Sequence, residues 1–453
     1  MVSAAHRQAV VLSSAFGSSL APFMVAGVVV ALPAIGGEFS LDTAGLSWLT
    51  NVFFLAAAAF LVPFGRLADV RGVKRVFRIG IGIYLVASVI CVTAPSALVL
   101  MAGRFLTGAG AAMIFSTTIA LLSLVFPENE RGKAIGINVS GMVIGFSAGF
   151  AAGGLLTYYV GWRTIFLVTI PVEILVFWLI TRIRGECALA RDRHLDPGGS
   201  ALYTIMILLS MTGFSMLAAS YGKAALAVGI VVFAFFVLWE RRVASPMIDL
   251  GLFRSNRLFL VGNIADLIYF VATFAPIFLL SLYLQNIRGL DARIAGVLLL
   301  IPSLCIIAAV YTGRLADRYS GRTIALVGYL ITIPTLVFFI FIDADTPLLL
   351  FIGISIVFGL GTAFVQPSLA KIVVSSVDRA RYGTASGTIE TMRLIGNTLS
   401  TAVATIVFTL APAALLTGLH LLFAIYAGLT ILGTGVVLGS MLLPINRVAT
   451  DVH

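Results

Sequence analysis

Fourteen long apolar runs leave this chain little choice of solvent. They lie near positions 9–33, 44–64, 76–94, 98–122, 134–158, 163–181, 199–219, 223–240, 257–284, 294–312, 322–342, 347–366, 384–410 and 418–442. A bilayer core about 30 Å thick is crossed by about 20 residues of helix. In hydrocarbon every backbone N–H and C=O must be bonded within its own segment or a closed barrel, so continuous runs of this length form helices. The expected fold class is an all-α membrane protein of fourteen transmembrane helices. Composition agrees: 60% of the 453 residues are hydrophobic and 11% charged, against about 25% charged in soluble domains. The first run is too long for a signal-peptide core and ends at no small-residue cleavage site, so it is expected to be retained. The seventh and eighth runs are separated only by Ser220–Gly222.

Loop charge gives an orientation. Of 29 Lys and Arg residues, only Arg163, Lys223, Arg288 and Arg293 fall on one face of this map, while Arg104 and Arg393 fall inside spans. The rest crowd the other face, which the positive-inside rule makes cytoplasmic. Both termini are then expected in the cytoplasm of a multi-pass protein in the cytoplasmic membrane. A basic rim facing anionic lipid also accounts for the net charge of +10 without nucleic acid.

An internal repeat divides the chain. Gly65-Arg66-Leu67-Ala68-Asp69 recurs 248 residues later as Gly313-Arg314-Leu315-Ala316-Asp317, each copy following a span and opening a basic loop. Repeated halves are a common way to build transporters. The offset leaves room for a helix pair between two six-helix halves. The expected organisation is a bundle over 1–184, a loop with two extra helices and a linker over 185–256, and a second bundle over 257–453.

Several function classes have no support. No G-x-x-x-x-G-K-[ST] loop, H-E-x-x-H helix or catalytic serine elbow occurs. Cys91, Cys187 and Cys305 have no disulfide or zinc spacing, and His6, His194, His420 and His453 are scattered. No metal, no cofactor and no enzymatic activity are expected.

Ionisable groups inside spans are costly and are therefore functional candidates. Asp266 shares a polar stripe with Asn263, Tyr269 or Phe270, and Thr273 at spacings of three and four, so one face of the ninth helix looks inward. It is a candidate for proton or substrate contact, or for a buried structural bond. Glu390 and Arg393 are placed to pair on the thirteenth helix, as a structural or gating ion pair, with Asn397 continuing that face. Glu173 follows Pro171 in the sixth helix among aliphatic residues, where it serves either function or the periphery. Arg104 has no carboxylate within four residues, so it needs a partner on another helix or lines a cavity. In the loop running from Gly65 through Asp69, Arg71, Gly72, Lys74 and Arg75, glycines allow a tight turn and an acid sits among cations at a helix end. Such a cluster, with its second copy at Gly313 and Asp317, suits a cytoplasmic lock between halves.

These residues resemble the major facilitator superfamily, and in particular its fourteen-helix drug:proton antiporter branch. The loop from Gly65 to Arg75 matches the signature between the second and third helices. Leu100 to Gly110 looks like the fourth-helix motif, whose arginine is Arg104; by resemblance it assists proton coupling. Trp48, Phe126-Pro127, Glu130 to Ala134, Gly161-Trp162-Arg163 through Pro171, and Ser245 to Leu250 with Leu252-Phe253 resemble the branch as well. Gly136, Gly145, Gly149, Gly153 and Gly154 follow the spacing of the antiporter motif in the fifth helix, with Phe150 where the pattern has proline. Small residues four apart allow close helix approach. The branch commonly carries an aspartate nine residues before the Leu-Pro closing the first helix, and Met24 stands there.

The resemblance implies a monomeric secondary transporter that exports lipophilic or amphipathic small molecules by proton antiport with alternating access. Met24 and Phe150 keep a second expectation open: a lipid or metabolite exporter, or a nutrient uptake facilitator, without proton coupling. A non-transporting receptor or scaffold is a third, disfavoured by two intact copies of the loop motif.

Overall fold

The computed structural model describes residues 4–183, 195–243, 247, 250–378, 381–410 and 415–442, without the side chains at 4–6, 128, 129, 250, 310, 314, 317 and 383. Its helices are α1 (Ala4–Phe39), α2 (Thr43–Arg71), α3 (Val73–Val92), α4 (Ala97–Val125), α5 (Glu128–Tyr159), α6 (Arg163–Leu167), α7 (Thr169–Arg182), α8 (Pro197–Ser215) and α9 (Ser220–Glu240). They continue as α10 (Leu250–Ser255), α11 (Arg257–Leu282), α12 (Ala292–Cys305), α13 (Ala309–Arg318), α14 (Gly321–Phe339), α15 (Leu348–Ser375), α16 (Tyr382–Leu410) and α17 (Leu415–Met441). Fourteen spans are long and apolar enough to cross a membrane among the described residues. The sixth is shared by α6 and α7, and the tenth by α12 and α13.

Both shared spans were expected to be unbroken. The sixth breaks at Val168 because Pro171 has no N–H to give the Leu167 carbonyl and its ring crowds that oxygen. The tenth tightens into a 3-10 turn at Ile306–Ala308. Other ends follow from their residues. Asp42, Asp196 and Asn256 cap α2, α8 and α11 by accepting from the N–H groups of Gly45, Gly199 and Phe259 at 2.8–2.9 Å, each cap being worth about 1 kcal/mol. Gly72 joins α2 to α3 at φ 109° while its N–H donates to Ala68 O at 2.9 Å. Few residues with a side chain hold that φ without strain.

The chain forms two compact units, Met1–Met247 with Gly289–Leu300, and Ile248–Arg288 with Ile301–His453. In the first unit, glycines of α5 lie directly against the α1 backbone (below). The extra pair α8–α9 interlocks through Gly213 and Gly229, where a Cβ would strike the opposite helix, and through Gly222, where it would strike Met216 at the end of α8. It rests on α2: Asn51 Nδ2 donates to Ser215 Oγ at 2.9 Å, and Tyr203 Oη to Ala58 O at 3.2 Å. In the second unit, Tyr329 sits edge-on to Tyr269 with ring centroids 5.2 Å apart and donates to Ala265 O at 2.7 Å, tying α14 to α11. Thr398, Thr405 and Thr409 satisfy their hydroxyls on carbonyls one turn back in α16, as polar side chains do where no water is at hand.

Candidate functional site

In the second unit α11 and α16 bring Asp266 together with an acid and a cation that lie more than a hundred residues further along the sequence. Asp266 is fully buried, and its Oδ2 accepts from Arg393 Nε at 3.3 Å. Arg393 Nη1 lies 3.9 Å from Glu390 Oε2 on the same helix. Its Nη2 reaches Gln366 O on α15 at 3.5 Å, and the guanidinium stands 5.2 Å from the Phe270 ring centroid. One arginine thus serves two carboxylates, one buried and one half-exposed, at distances longer than a tight charge-assisted bond. Asp266 Oδ1 and the Oδ1 atoms of Asn263 and Asn397 are buried without hydrogen-bond partners. The expected Glu390–Arg393 pair is present, and the stronger contact of Arg393 is to Asp266. The inward stripe also holds: Asn263, Asp266, Tyr269 and Thr273 are all buried.

The first unit is built differently. Arg104 on α4 is 1% exposed, and none of its three guanidinium nitrogens has a hydrogen-bond partner. Its contact is the face of Phe53 on α2, 4.7 Å to the ring centroid. Glu173 on α7 is fully buried rather than peripheral, and its Oε1 accepts from Ser88 Oγ on α3 at 2.8 Å. The Tyr84 hydroxyl on α3 is buried and unpartnered, and feels the charges of both Glu173 and Arg104. Arg104 and Glu173 form no ion pair.

The glycines of α5 fall into three groups. Gly145, Gly149 and Gly153 abut Ser19, Phe23 with Ala26, and Gly27 of α1, so closely that a Cβ would overlap them. Gly154 turns the other way, against Ala292 and Gly296. Gly136 is exposed, and a Cβ added there would meet nothing within 4 Å, so the seam does not include it; Gly141, packed on Ala15, takes the place that spacing had given to Gly136. Beyond the seam, Arg293 Nη1 donates to Tyr159 Oη at 3.1 Å and lies over the Tyr158 ring. Asp291, between spans, accepts from Ile294 N–H at 2.8 Å and then from Arg293, which holds its carboxyl below the usual carboxylate range.

In the repeated loop, Gly72 carries the turn, Asp69 and Lys74 are half-buried, and Arg71 and Arg75 are exposed. A Cβ on Gly65 or Gly313 would make ordinary contacts only. The Asp317 side chain lies outside the described residues. At the opposite end of the first unit, Arg163 grips Glu38 with both terminal nitrogens at 2.8 and 2.6 Å, and Trp162 Nε1 joins the same carboxylate at 2.7 Å. The Gly161-Trp162-Arg163 motif therefore clasps the end of α1. No cluster of His, Cys, Asp or Glu able to hold a metal occurs among the described residues.

Sequence reasoning did not find Phe53, Tyr84, Ser88, Gln366 or Gly141, since each matters through a contact with a distant helix.

These features define a helical membrane transporter with a repeated loop motif. The sequence profile of the Major Facilitator Superfamily matches residues 14–401, and the chain belongs to that superfamily. It is 29% identical over 382 residues to the riboflavin transporter RibZ of Clostridioides difficile, covering 82% of each protein. It is 32% identical over 386 residues to the multidrug resistance protein Stp of Mycobacterium tuberculosis, covering 83% of this chain and 71% of that one. Among solved structures, a mutant of the nucleoside transporter NupG superposes with a TM-score of 0.68 over 96% of this chain and 99% of that one. At 12% identity that likeness concerns the fold alone.

Proposed function

We propose that this chain is a secondary active transporter that exports lipophilic or amphipathic small molecules across the cytoplasmic membrane by alternating access and proton antiport. It works as a monomer with both termini in the cytoplasm. The observation that carries the coupling is the Asp266–Arg393–Glu390 arrangement. An ionised Asp266 holds Arg393; a proton on Asp266 weakens that hold and leaves the guanidinium to Glu390 and Gln366 O. Gain and loss of one proton thus changes the partner of a cation in the span, which is what exchange of a proton for substrate requires. The relative Stp, described as a multidrug resistance protein, supports a reading in which more than one drug-like compound is handled.

The test is transport in proteoliposomes with an imposed pH gradient. Asp266→Asn is expected to abolish gradient-driven movement of a lipophilic dye while the protein stays folded, and full activity in that variant removes Asp266 from the mechanism. A second reading, metabolite export or nutrient uptake without proton coupling, is favoured by Met24, fully buried where the branch carries an acid, and by the relative RibZ, described as a riboflavin transporter. Transport of equal rate with and without the gradient selects it.

A further inference from the structure

Among the described residues, no acid forms an ion pair with the buried cation of Arg104. All three nitrogens lack a partner at 1% exposure, and a guanidinium is an obligate donor whose charge is not lost in proteins. Isolated charge is disfavoured in a low-dielectric interior unless paired and hydrogen-bonded. The Phe53 face offsets part of that cost and supplies no acceptor. Four described acids of the first unit are engaged elsewhere: Glu38 with Arg163, Glu130 with Arg7, Asp291 with Arg293, and Asp196 with Trp239 and Gly199. Glu173 takes the Ser88 hydroxyl on Oε1, with Oε2 buried and unpartnered, and forms no ion pair with Arg104. Met24 supplies no charge from α1.

The neighbouring Tyr84 and the threonines of α4 carry hydroxyls and no negative charge. The Tyr84 hydroxyl, also buried and unpartnered, lies within the field of the guanidinium. The Thr107 hydroxyl already donates to Arg104 O at 2.8 Å. Thr117 and Thr118, further along α4, likewise spend their hydroxyls on backbone carbonyls. A neutral acceptor would satisfy the donors and leave the charge uncompensated, and a cation would be repelled. A planar oxyanion answers both needs, because a guanidinium fork bonds a carboxylate through two parallel N–H groups, and with the greatest effect where water is excluded.

We propose that Arg104 is the anchoring subsite for an oxyanion on the transported molecule, with Tyr84 as its second donor and Phe53 as its apolar wall, so that the substrates of this transporter include amphipathic organic acids. The inference rests on the transporter reading above and narrows its substrate class. At 1% exposure Arg104 is closed off in this structure, so the site must open in the transport cycle before the anion binds.

The test uses the purified full-length protein and the matched probes 2-naphthoate and 2-naphthamide, with inorganic phosphate and chloride at equal ionic strength as further arms. A ligand that binds the folded state raises its Tm. Naphthoate is expected to raise the wild-type Tm in a saturable way and the amide not to. Arg104→Gln is expected to fold with an unchanged or higher Tm, since it removes an unpaired buried charge, and to lose the naphthoate shift. Equal shifts from acid and amide, or a naphthoate shift that survives in Arg104→Gln, overturn the proposal. A rise of the same size from phosphate or chloride, lost in that variant, also overturns it by making the site one for an inorganic counter-ion. If Arg104→Gln does not fold, Arg104→Lys carries the test: a naphthoate shift cut at least by half supports the proposal, and an undiminished one overturns it. Gradient-driven transport of both probes separates this inference from the broader reading. Transport of the amide but not the acid ends the inference alone, and transport of neither, nor of any lipophilic dye, ends the transporter reading with it.

Discussion

The five glycines that spacing grouped together on α5 are expected to respond to alanine with opposite signs. A Cβ on Gly149 would lie 2.8 Å from Ala26 Cβ and 3.0 Å from Phe23 Cα; one on Gly145 would lie 2.9 Å from Ser19 Cβ, and one on Gly153 2.5 Å from Gly27 Cα. Carbon atoms rest about 3.5–4.0 Å apart, so each substitution forces α1 and α5 apart by roughly an ångström against backbone that has no rotamer to yield. Overpacking of this kind costs about 1–3 kcal/mol per site. Within a bilayer, where the lipid is as apolar as the helix, close packing is a main source of helix association, and its loss is felt in full. Gly136→Ala meets nothing within 4 Å and is expected to gain about 0.5–1 kcal/mol from the helix preference for alanine over glycine. Unfolding of the purified full-length variants in increasing SDS, followed by circular dichroism, should therefore place Gly149→Ala below wild type and Gly136→Ala at or above it. A Gly136→Ala variant as destabilised as Gly149→Ala, or a neutral Gly149→Ala, would refute the assignment of the seam.

Arg393→Gln leaves Asp266 buried without its cation and is expected to cost about 3–5 kcal/mol; adding Asp266→Asn should recover most of it, and additive losses in the same SDS titration would show that the two side chains do not interact. Glu173→Gln keeps the acceptor for Ser88 Oγ, so gradient-driven dye transport should persist, and its loss in a folded variant would move the coupling role to Glu173. Asn51→Leu removes the bond to Ser215 and should loosen the α8–α9 pair from α2 by about 1 kcal/mol, read as faster proteolysis of the segment between α7 and α8; an unchanged rate would mean that Tyr203 and the glycine contacts hold the pair unaided.

How much of this was legible in the sequence depended on the range of the interaction. Apolar runs near 20 residues are set by the bilayer and by the backbone's own hydrogen bonds, and every one of them became a span. Breaks inside spans were less visible: Pro171 is plain to read, but a span can carry proline unbroken, as α2 does at Pro63 and α15 at Pro367. The i,i+3 pair of Glu390 and Arg393 needed only helix geometry. Its union with Asp266 depended on how α11 packs against α16, which periodicity does not encode. Gly136 and Gly141 show the same limit, because both have small neighbours at helical spacing and only the path of α1 decides which one is buried.

The absent first-helix acid takes on a specific meaning beside these contacts. A buried arginine with an acid facing it is a neutral pair that a proton can open. Arg104, with Met24 in place of that acid and no ion pair to Glu173, is a fixed positive centre instead. Gain or loss of a proton does nothing to a guanidinium at any physiological pH, so Arg104 alone supplies attraction without a switch. Arg393 has the opposite character, since one of its carboxylate partners is wholly buried and the other partly exposed. Protonation of the buried one redistributes the cation. On this reading the two units divide the work chemically: the first offers a permanent charge suited to holding an anion, and the second an acid–base pair suited to sensing a proton. A substrate acid bound at Arg104 would supply the negative charge that Met24 does not, which ties recognition of an anion to the residue at that position of α1.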